Sequence, residues 1–497
     1  MNMRMAAALC GAALLFATAS HSAPKSLVKI QKISKVQAAK IASLGYDVVS
    51  IKDNYAEAVL DKTEAAALSS KGYSLKTLIA DLDKYVAQMK STQNKTDSYY
   101  NYAKVETVLA DWAKKYSTIC RLESIGKSCE NKNIWALKIS DEPQKNEQEP
   151  AVLLMGAHHA REWPSIEVPM AVAEKLLSNY AENADIKRLV DTREIWIVPV
   201  VNPDGVIYSM EKSKFWRKNR RKNADGTYGV DLNRNYGYQW GNVGSSNSGY
   251  SDTYHGPSAF SEPESLAIKK LAQREKFQSS ISYHTYSELI LYPFGYAHNA
   301  NNPDSKIFIK LAEEMAKING YRPQNSAELY PAMGDLDDFM YGNEKVLSFT
   351  FELCKSFIPP ASQIPSFTLP NVEAALHLID KAGTYAMAIP GNNPRLIENL
   401  GFEDALNAIS DISTIFGDER NIVIRNEVLK QVDLISKRLA QLTVDDLKQQ
   451  STEKWQRLNS EQSATLAVSY VRTRLLFDEG HNPGTYATEL INTVKNK

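Results

Sequence analysis

The chain has 497 residues, too many for one ordinary domain, and its 43% hydrophobic and 23% charged residues are the composition of a globular protein. Its formal net charge is zero, which gives no ground for nucleic acid or an anionic membrane as a partner.

One long apolar run exists, Met5 to Ala17, with Arg4 before it and small residues after it. That is the layout of a secretory leader, and the run is short for a membrane span. A cut after Ala19 fits the small-x-small pattern Ala17-Thr18-Ala19; the leader is placed at residues 1–22, which predicts a secreted or periplasmic protein.

Residues 24–85 carry a weak internal repeat. A helix is expected over Ser34–Leu44, then Gly45-Tyr46 and a strand from Asp47 to Ile51. A second is expected over Thr63–Lys71, then Gly72-Tyr73 and a strand from Ser74 to Ile79. With strands at Leu27–Gln31 and Tyr55–Leu60 the order is β-α-β-β-α-β, the split arrangement of a small ferredoxin-like α+β domain. The polar stretch 88–98 reads as an exposed linker open to proteolysis, so residues 23–97 form this domain and its linker.

From 98 to 390 short runs that are almost wholly apolar or small alternate with helical ones. Ala151–Met155, Ile195–Val201, Ser279–Tyr283 and Val346–Phe351 predict buried strands of an α/β domain, its sheet mixed, largely parallel and flanked by helices. After the breaker Pro390–Pro394, residues 391–497 read as a charged helical extension.

Cys10 leaves with the leader. Cys120 and Cys129 flank a turn expected at Gly126, between strand-like runs 118–125 and 133–139. In an oxidising compartment they are expected to form a disulfide, two free cysteines being the alternative. Cys354 has no partner and reads as a small buried hydrophobe.

In open α/β sheets, sites form at the C-terminal edge of the strands. Three of those edges carry ionisable residues: His159 soon after Ala151–Met155, His284 after Ser279–Tyr283, and Glu352 after Val346–Phe351. His159 and Glu162 stand three apart at the start of a helix, so both can reach one ion. Alone, this His-x-x-Glu pair is better read as a surface pair. With His284 it becomes two His and one Glu with one position open, the catalytic zinc pattern. His158 is the competing ligand, but its offset from Glu162 points it elsewhere.

Six separated motifs then stand in one order: Gly156-x-x-His159-Ala160-Arg161-Glu162-Trp163, Asn202-Pro203-Asp204-Gly205, Trp216–Arg220, Val230–Asn235, His284-x-Tyr286-Ser287 and Ser348–Leu353. Over about residues 99–390 the chain resembles the zinc carboxypeptidases of the pancreatic A and B type. The resemblance implies one zinc ion (Zn2+) held by His159, Glu162 and His284, with Asp231 orienting His159. It implies Glu352 as general base and acid, and Arg217 as the group that meets the developing oxyanion. Asn233 and Arg234 would bind the substrate's free terminal carboxylate, Tyr330 would close over it, Arg161 would guide it in, and Tyr286 would line the peptide cleft. The partners implied are peptides or proteins with a free C-terminus.

By the family's register, Asp337 stands at the floor of the pocket for the terminal side chain, where B-type enzymes carry Asp. That predicts basic residues preferred; local pairing of Asp337 is the alternative. Gly295 matches the A-type residue and Asn325 neither type. The small N-terminal domain resembles the pro-domain of bacterial members, which implies a precursor whose cleft is covered until the linker is cut. Two other functions fit the same residues: a peptidase for cell-wall peptides, and a catalytically dead peptide-binding protein, against which intact Glu352 and Arg217 argue.

Overall fold

The structure is a computed structural model that describes residues 24–91, 99–147 and 149–385, together with the isolated positions 408, 430, 431, 434 and 435. The leader, most of the linker and nearly all of the C-terminal extension therefore lie outside the described residues. Ala408 and Ile435 are helical and buried against the main core.

The N-terminal domain follows the expected order: β1 (Ser26–Gln31), α1 (Lys35–Ser43), β2 (Val48–Lys52), β3 (Tyr55–Leu60), α2 (Lys62–Ser70) and β4 (Ser74–Ile79), followed by α3 (Leu82–Ser91). Its strands lie in the order β2-β3-β1-β4, all neighbours antiparallel. The repeat has a local physical basis. Both α1 and α2 open with a capping box, Ser34 with Gln37 and Asp61 with Glu64. Each is followed by a glycine in the left-handed region, Gly45 at φ 85° and Gly72 at φ 87°, which side-chain-bearing residues avoid.

The larger domain contains α4 (Tyr102–Lys115), β5 (Cys120–Lys127), β6 (Asn133–Ile139), β7 (Ala151–Met155), α5 (Pro164–Asn179), α6 (Ala184–Asp191), β8 (Glu194–Val198), α7 (Pro203–Glu211) and α8 (Pro263–Glu275). It continues with β9 (Ser279–Thr285), β10 (Leu289–Tyr292), α9 (Ser305–Asn319), β11 (Arg322–Asn325), α10 (Ser326–Leu329), α11 (Leu336–Glu344), β12 (Leu347–Leu353) and α12 (Ile364–Tyr385). One eight-stranded sheet runs β11-β10-β12-β9-β7-β8-β6-β5. The central strands β8, β7, β9 and β12 are parallel, while β5, β6 and β10 pair antiparallel at the flanks. β7, β8 and β9 are buried along their whole length, with an apolar cluster on each face of the sheet; β7 and β8 are accordingly almost wholly apolar, while β9 alternates Ile281 and Tyr283 with buried Ser280, Ser282 and His284.

The expected disulfide does not form: Cys120 and Cys129 are free thiols. The hairpin is real, but Cys120 opens β5 opposite Ile139 whereas Cys129 follows the far end, past Lys127 opposite Asn133. At ~3.3 Å per residue the strand holds them roughly 20 Å or more apart, and a disulfide needs Cα atoms within about 7 Å. Gly126 is not the turn either; it sits inside β5 beside a register shift. Cys354 is buried, as expected.

Candidate functional site

The parallel strands present their C-terminal ends along one edge, and the ionisable residues gather there. His284 on β9 and Glu352 on β12 are register partners, which places them side by side. His159 and Glu162 come from the segment joining β7 to α5, and both are buried. His159 Nδ1 lies 2.8 Å from Glu162 Oε1, and His284 Nδ1 lies 3.0 Å from Glu162 Oε2. The two Nδ1 atoms are 3.1 Å apart. Two ring nitrogens and a carboxylate thus turn their lone pairs toward one point, an arrangement protons satisfy poorly and a cation satisfies well.

The outer ring nitrogens are held as ligands require. His159 Nε2 meets Asp231 Oδ1 at 3.1 Å, and His284 Nε2 meets the Ser282 hydroxyl at 3.0 Å. Borderline nitrogen and oxygen donors in this number fit zinc with a position left open. His158 points away, its nitrogens on Tyr236 Oη at 2.9 Å and Ser282 Oγ at 3.2 Å.

Asp231 does a second job. Its Oδ2 accepts from Arg217 Nε at 3.0 Å and Nη2 at 2.8 Å, which fixes the guanidinium plane. Arg217 Nη1 is left facing the centre, 3.8 Å from Glu162 Oε1. Glu352 is walled in with His159, Glu162, Arg217, Arg234, His284 and Tyr330. Burial, and then the Glu162 carboxylate, hold Glu352 well above the usual carboxylate range, against the pull of Arg217 and Arg234.

An adjoining cavity shares Asn233, Arg234, Tyr330 and Glu352 with the first and adds Gly295, Ser326, Asp335, Asp337 and Thr350. Arg234 is anchored through Nε to Gly244 O at 2.8 Å and Nη1 to Asn233 O at 2.6 Å, and Asn233 Oδ1 accepts from Leu336 N at 2.9 Å. Asp337 lines this cavity and also accepts from Ser348 Oγ at 2.6 Å, so it faces the cavity and pairs locally at once. Asn325 caps α10 instead of lining the pocket.

Two predicted residues face the N-terminal domain. Arg161 is fully buried, with Nη2 2.6 Å from Asp47 Oδ2. Tyr286 donates its hydroxyl to Glu57 Oε2 at 2.7 Å. Trp163 is core, its indole N–H on Ser209 Oγ at 3.0 Å. The sequence had pointed to neither Asp47 nor Glu57. It had also passed over Ser282, a small residue in an apolar run, and had quoted Asn202 only within a motif, with no role of its own. Asn202 caps α7 by accepting from Gly205 N at 2.9 Å and donates to the carbonyl of His158 at 3.1 Å, which steadies the ligand loop.

A buried His-His-Glu group at a parallel sheet edge, with a carboxylate and a guanidinium facing it, defines a metal-dependent hydrolase. A family model described as zinc carboxypeptidase matches residues 105–374, and the chain belongs to that family. It is 34% identical over 357 residues to a zinc carboxypeptidase of Saccharothrix mutabilis subsp. capreolus, across 66% of this chain and 80% of the relative. It is 35% identical over 311 residues to metallocarboxypeptidase A of Trichophyton rubrum, across 58% of this chain and 70% of the relative. The crystal structure of carboxypeptidase A from Helicoverpa armigera has the same fold, with a TM-score of 0.64 at 23% identity over 73% of this chain and 98% of that one. That of thrombin-activatable fibrinolysis inhibitor gives 0.60 at 25% identity over 72% and 99%. The protein is a zinc metallocarboxypeptidase, an enzyme that hydrolyses C-terminal peptide bonds with one zinc ion. No helix among the described residues is long and apolar enough to cross a membrane.

Proposed function

We propose that this chain is an exported precursor of a carboxypeptidase that releases single residues, basic ones preferentially, from the C-termini of peptides. The observation that carries the catalytic reading is the convergence of His159, Glu162 and His284 beside Glu352 and Arg217. When bound, zinc acidifies a water and polarises the carbonyl to be attacked. Glu352 accepts the proton of the attacking water and later delivers one to the departing amine nitrogen. Arg217 Nη1, held in plane by Asp231, donates to the oxygen on which negative charge develops. Asn233 and Arg234 take the substrate's terminal carboxylate, for which a guanidinium is suited, and Tyr330 covers it. Arg161 lines the approach.

Activity is expected to vanish with a chelator and return with zinc, on short peptides with a free C-terminus. His159→Ala protein is expected to lose both stoichiometric zinc and turnover. A variant that keeps its zinc and cleaves at the normal rate would exclude this ligand set. Release of amino acids from ordinary peptides, compared with muropeptides, separates the two substrate classes.

The preference for basic residues rests on Asp337. Burial, and then the charge of Asp335, push its carboxyl up to about 7, against hydrogen bonds from Ser348 and Thr350. Asp335 is itself pushed up to about 6, mainly by burial, with Arg234 the cation nearest in effect. Both acids are therefore neutral at low pH and charged at high pH, and only the charged pocket attracts a cation. The kcat/KM ratio for Arg-ending over Leu-ending peptides is expected to rise roughly tenfold between about pH 5.5 and about pH 8. A ratio flat in pH would remove these acids from side-chain recognition.

A further inference from the structure

Ser282 and His284 stand two apart on β9 and so project to the same face of the sheet. Met155, the last residue of β7, is the register partner of Ser282. The chain leaves β7 there, and three residues on His158 comes to lie against Ser282, its backbone carbonyl held by Asn202 Nδ2 at 3.1 Å. Ser282 Oγ is thereby shared between two rings, 3.0 Å from His284 Nε2 and 3.2 Å from His158 Nδ1. The far nitrogen of His158, Nε2, meets Tyr236 Oη at 2.9 Å. All four side chains are buried. The imidazoles of His158 and His284 stack with centroids 5.6 Å apart, and the Tyr236 ring packs against Phe260 and Phe339.

A hydroxyl has one proton to give. His284 can bind a metal through Nδ1 only as the tautomer that carries its proton on Nε2, so Ser282 has to accept there. A serine is free to do the reverse. Were it to donate to His284 Nε2, the ring proton would sit on Nδ1, aimed at Glu162 Oε2 3.0 Å away, and would occupy the side that faces the ion. His159 meets no such choice, because the ionised Asp231 carboxylate that holds its Nε2 can only accept. The Ser282 proton therefore needs another acceptor, and His158 Nδ1 is within reach of it.

We propose that His158 is a positioning residue of the metal centre: its Nδ1 takes the hydroxyl proton of Ser282, which leaves Ser282 an acceptor toward His284 and fixes His284 as the tautomer whose Nδ1 lone pair faces the zinc. Tyr236 completes the chain by accepting from His158 Nε2, so that His158 Nδ1 stays free of a proton. The bonds then run in one direction, from His284 to Ser282 to His158 to Tyr236, and hydrogen bonds aligned in this way strengthen one another. The inference rests on the ligand set above and goes beyond it. His158 does not compete with His159 for the ion; it lets a serine do for His284 what a carboxylate does for His159.

The zinc dissociation constant of the full chain is measured by competition with a chromophoric chelator. The proteins compared are the unmodified chain, His158→Leu, Ser282→Ala, the double variant of these two, and Tyr236→Phe. Melting of the metal-free proteins is the fold control, and the visible spectrum of the cobalt-loaded forms reports on the ligand field. Losing a hydrogen-bond partner behind a metal ligand weakens a site by about 10–100-fold. That loss is expected in His158→Leu and in Ser282→Ala, each with an altered cobalt spectrum. Because His158 acts through Ser282, the double variant is expected to bind zinc no more weakly than Ser282→Ala alone. Tyr236→Phe keeps the ring packing and is expected to weaken zinc binding in the same direction, which supplies the test should His158→Leu fail to fold. Unchanged affinity in His158→Leu, or in Tyr236→Phe where the former does not fold, would return His158 to a packing role. Losses that multiply in the double variant would overturn the coupling through Ser282. Failure of the ligand set is a separate result, since His159→Ala protein would then keep its full zinc affinity.

Discussion

Glu352→Gln protein is expected to fold, to bind zinc normally and to lose peptide hydrolysis by several orders of magnitude. General acid–base help alone contributes about 10²–10⁴-fold, and in the proposed mechanism the same carboxylate both receives and returns the proton. The substitution keeps shape and volume, which matters at a position enclosed by Arg217, Arg234, His284 and Tyr330. The ladder pairing of Glu352 with His284 is a backbone matter and survives. The metal ligands are anchored independently, through Asp231 and Ser282. Removing a charge that burial already disfavours should not destabilise the fold. Turnover, zinc content and melting temperature measured on one preparation separate these statements. Near-normal turnover would place the base elsewhere.

The fold was legible where local chemistry decides it. The Gly-Tyr pairs that close each helix, Gly45-Tyr46 and Gly72-Tyr73, marked the halves of the small domain, and runs of apolar or small residues marked strands buried on both faces. The site was legible because strand ends converge: His284 and Glu352 each end such a run, and the pairing of β9 with β12 turns that shared position into contact. What failed was distance. A spacing of nine positions from Cys120 to Cys129 looked like a short clip, yet most of that separation is extended strand running away from the first cysteine. Partners drawn from another domain were also illegible. Asp47 is an unremarkable acid at the start of a strand, and only the docking of the small domain brings it to Arg161.

The uncut precursor is expected to be nearly inactive, and cleavage within 88–98 followed by release of the small domain to raise activity by about 100-fold or more. In the structure Val48 and Val49 line the catalytic cavity together with His159, Glu162, His284 and Glu352. Asp47 lies 2.6 Å from Arg161 and 3.8 Å from Arg217 Nη1, the donor proposed above to meet the oxyanion. Glu57 holds the Tyr286 hydroxyl, and Lys25 reaches Asp252 at 3.2 Å. Val59, Leu82 and Val86 pack with Trp163, Phe215 and Phe357 to seal the contact. A peptide needs the same space and the same arginines, so it binds only when this domain is off; if the open form is populated at ~1%, apparent activity falls ~100-fold. The catalytic domain keeps its own anchors after a cut: Tyr99 Oη donates to Pro359 O and Tyr100 N to Glu167 Oε1, both at 2.7 Å. Asp47→Ala is the sharper variant. It leaves Arg161 buried with only the more distant Asp252, at 3.9 Å, and should raise the activity of the uncut chain roughly tenfold or more, while the cut and separated enzyme, which no longer contains residue 47, sets the upper limit. Activity of the uncut unmodified chain equal to that of protein beginning near Ser98 would show that the small domain leaves the cleft by itself, and would make it a folding aid instead of a cover.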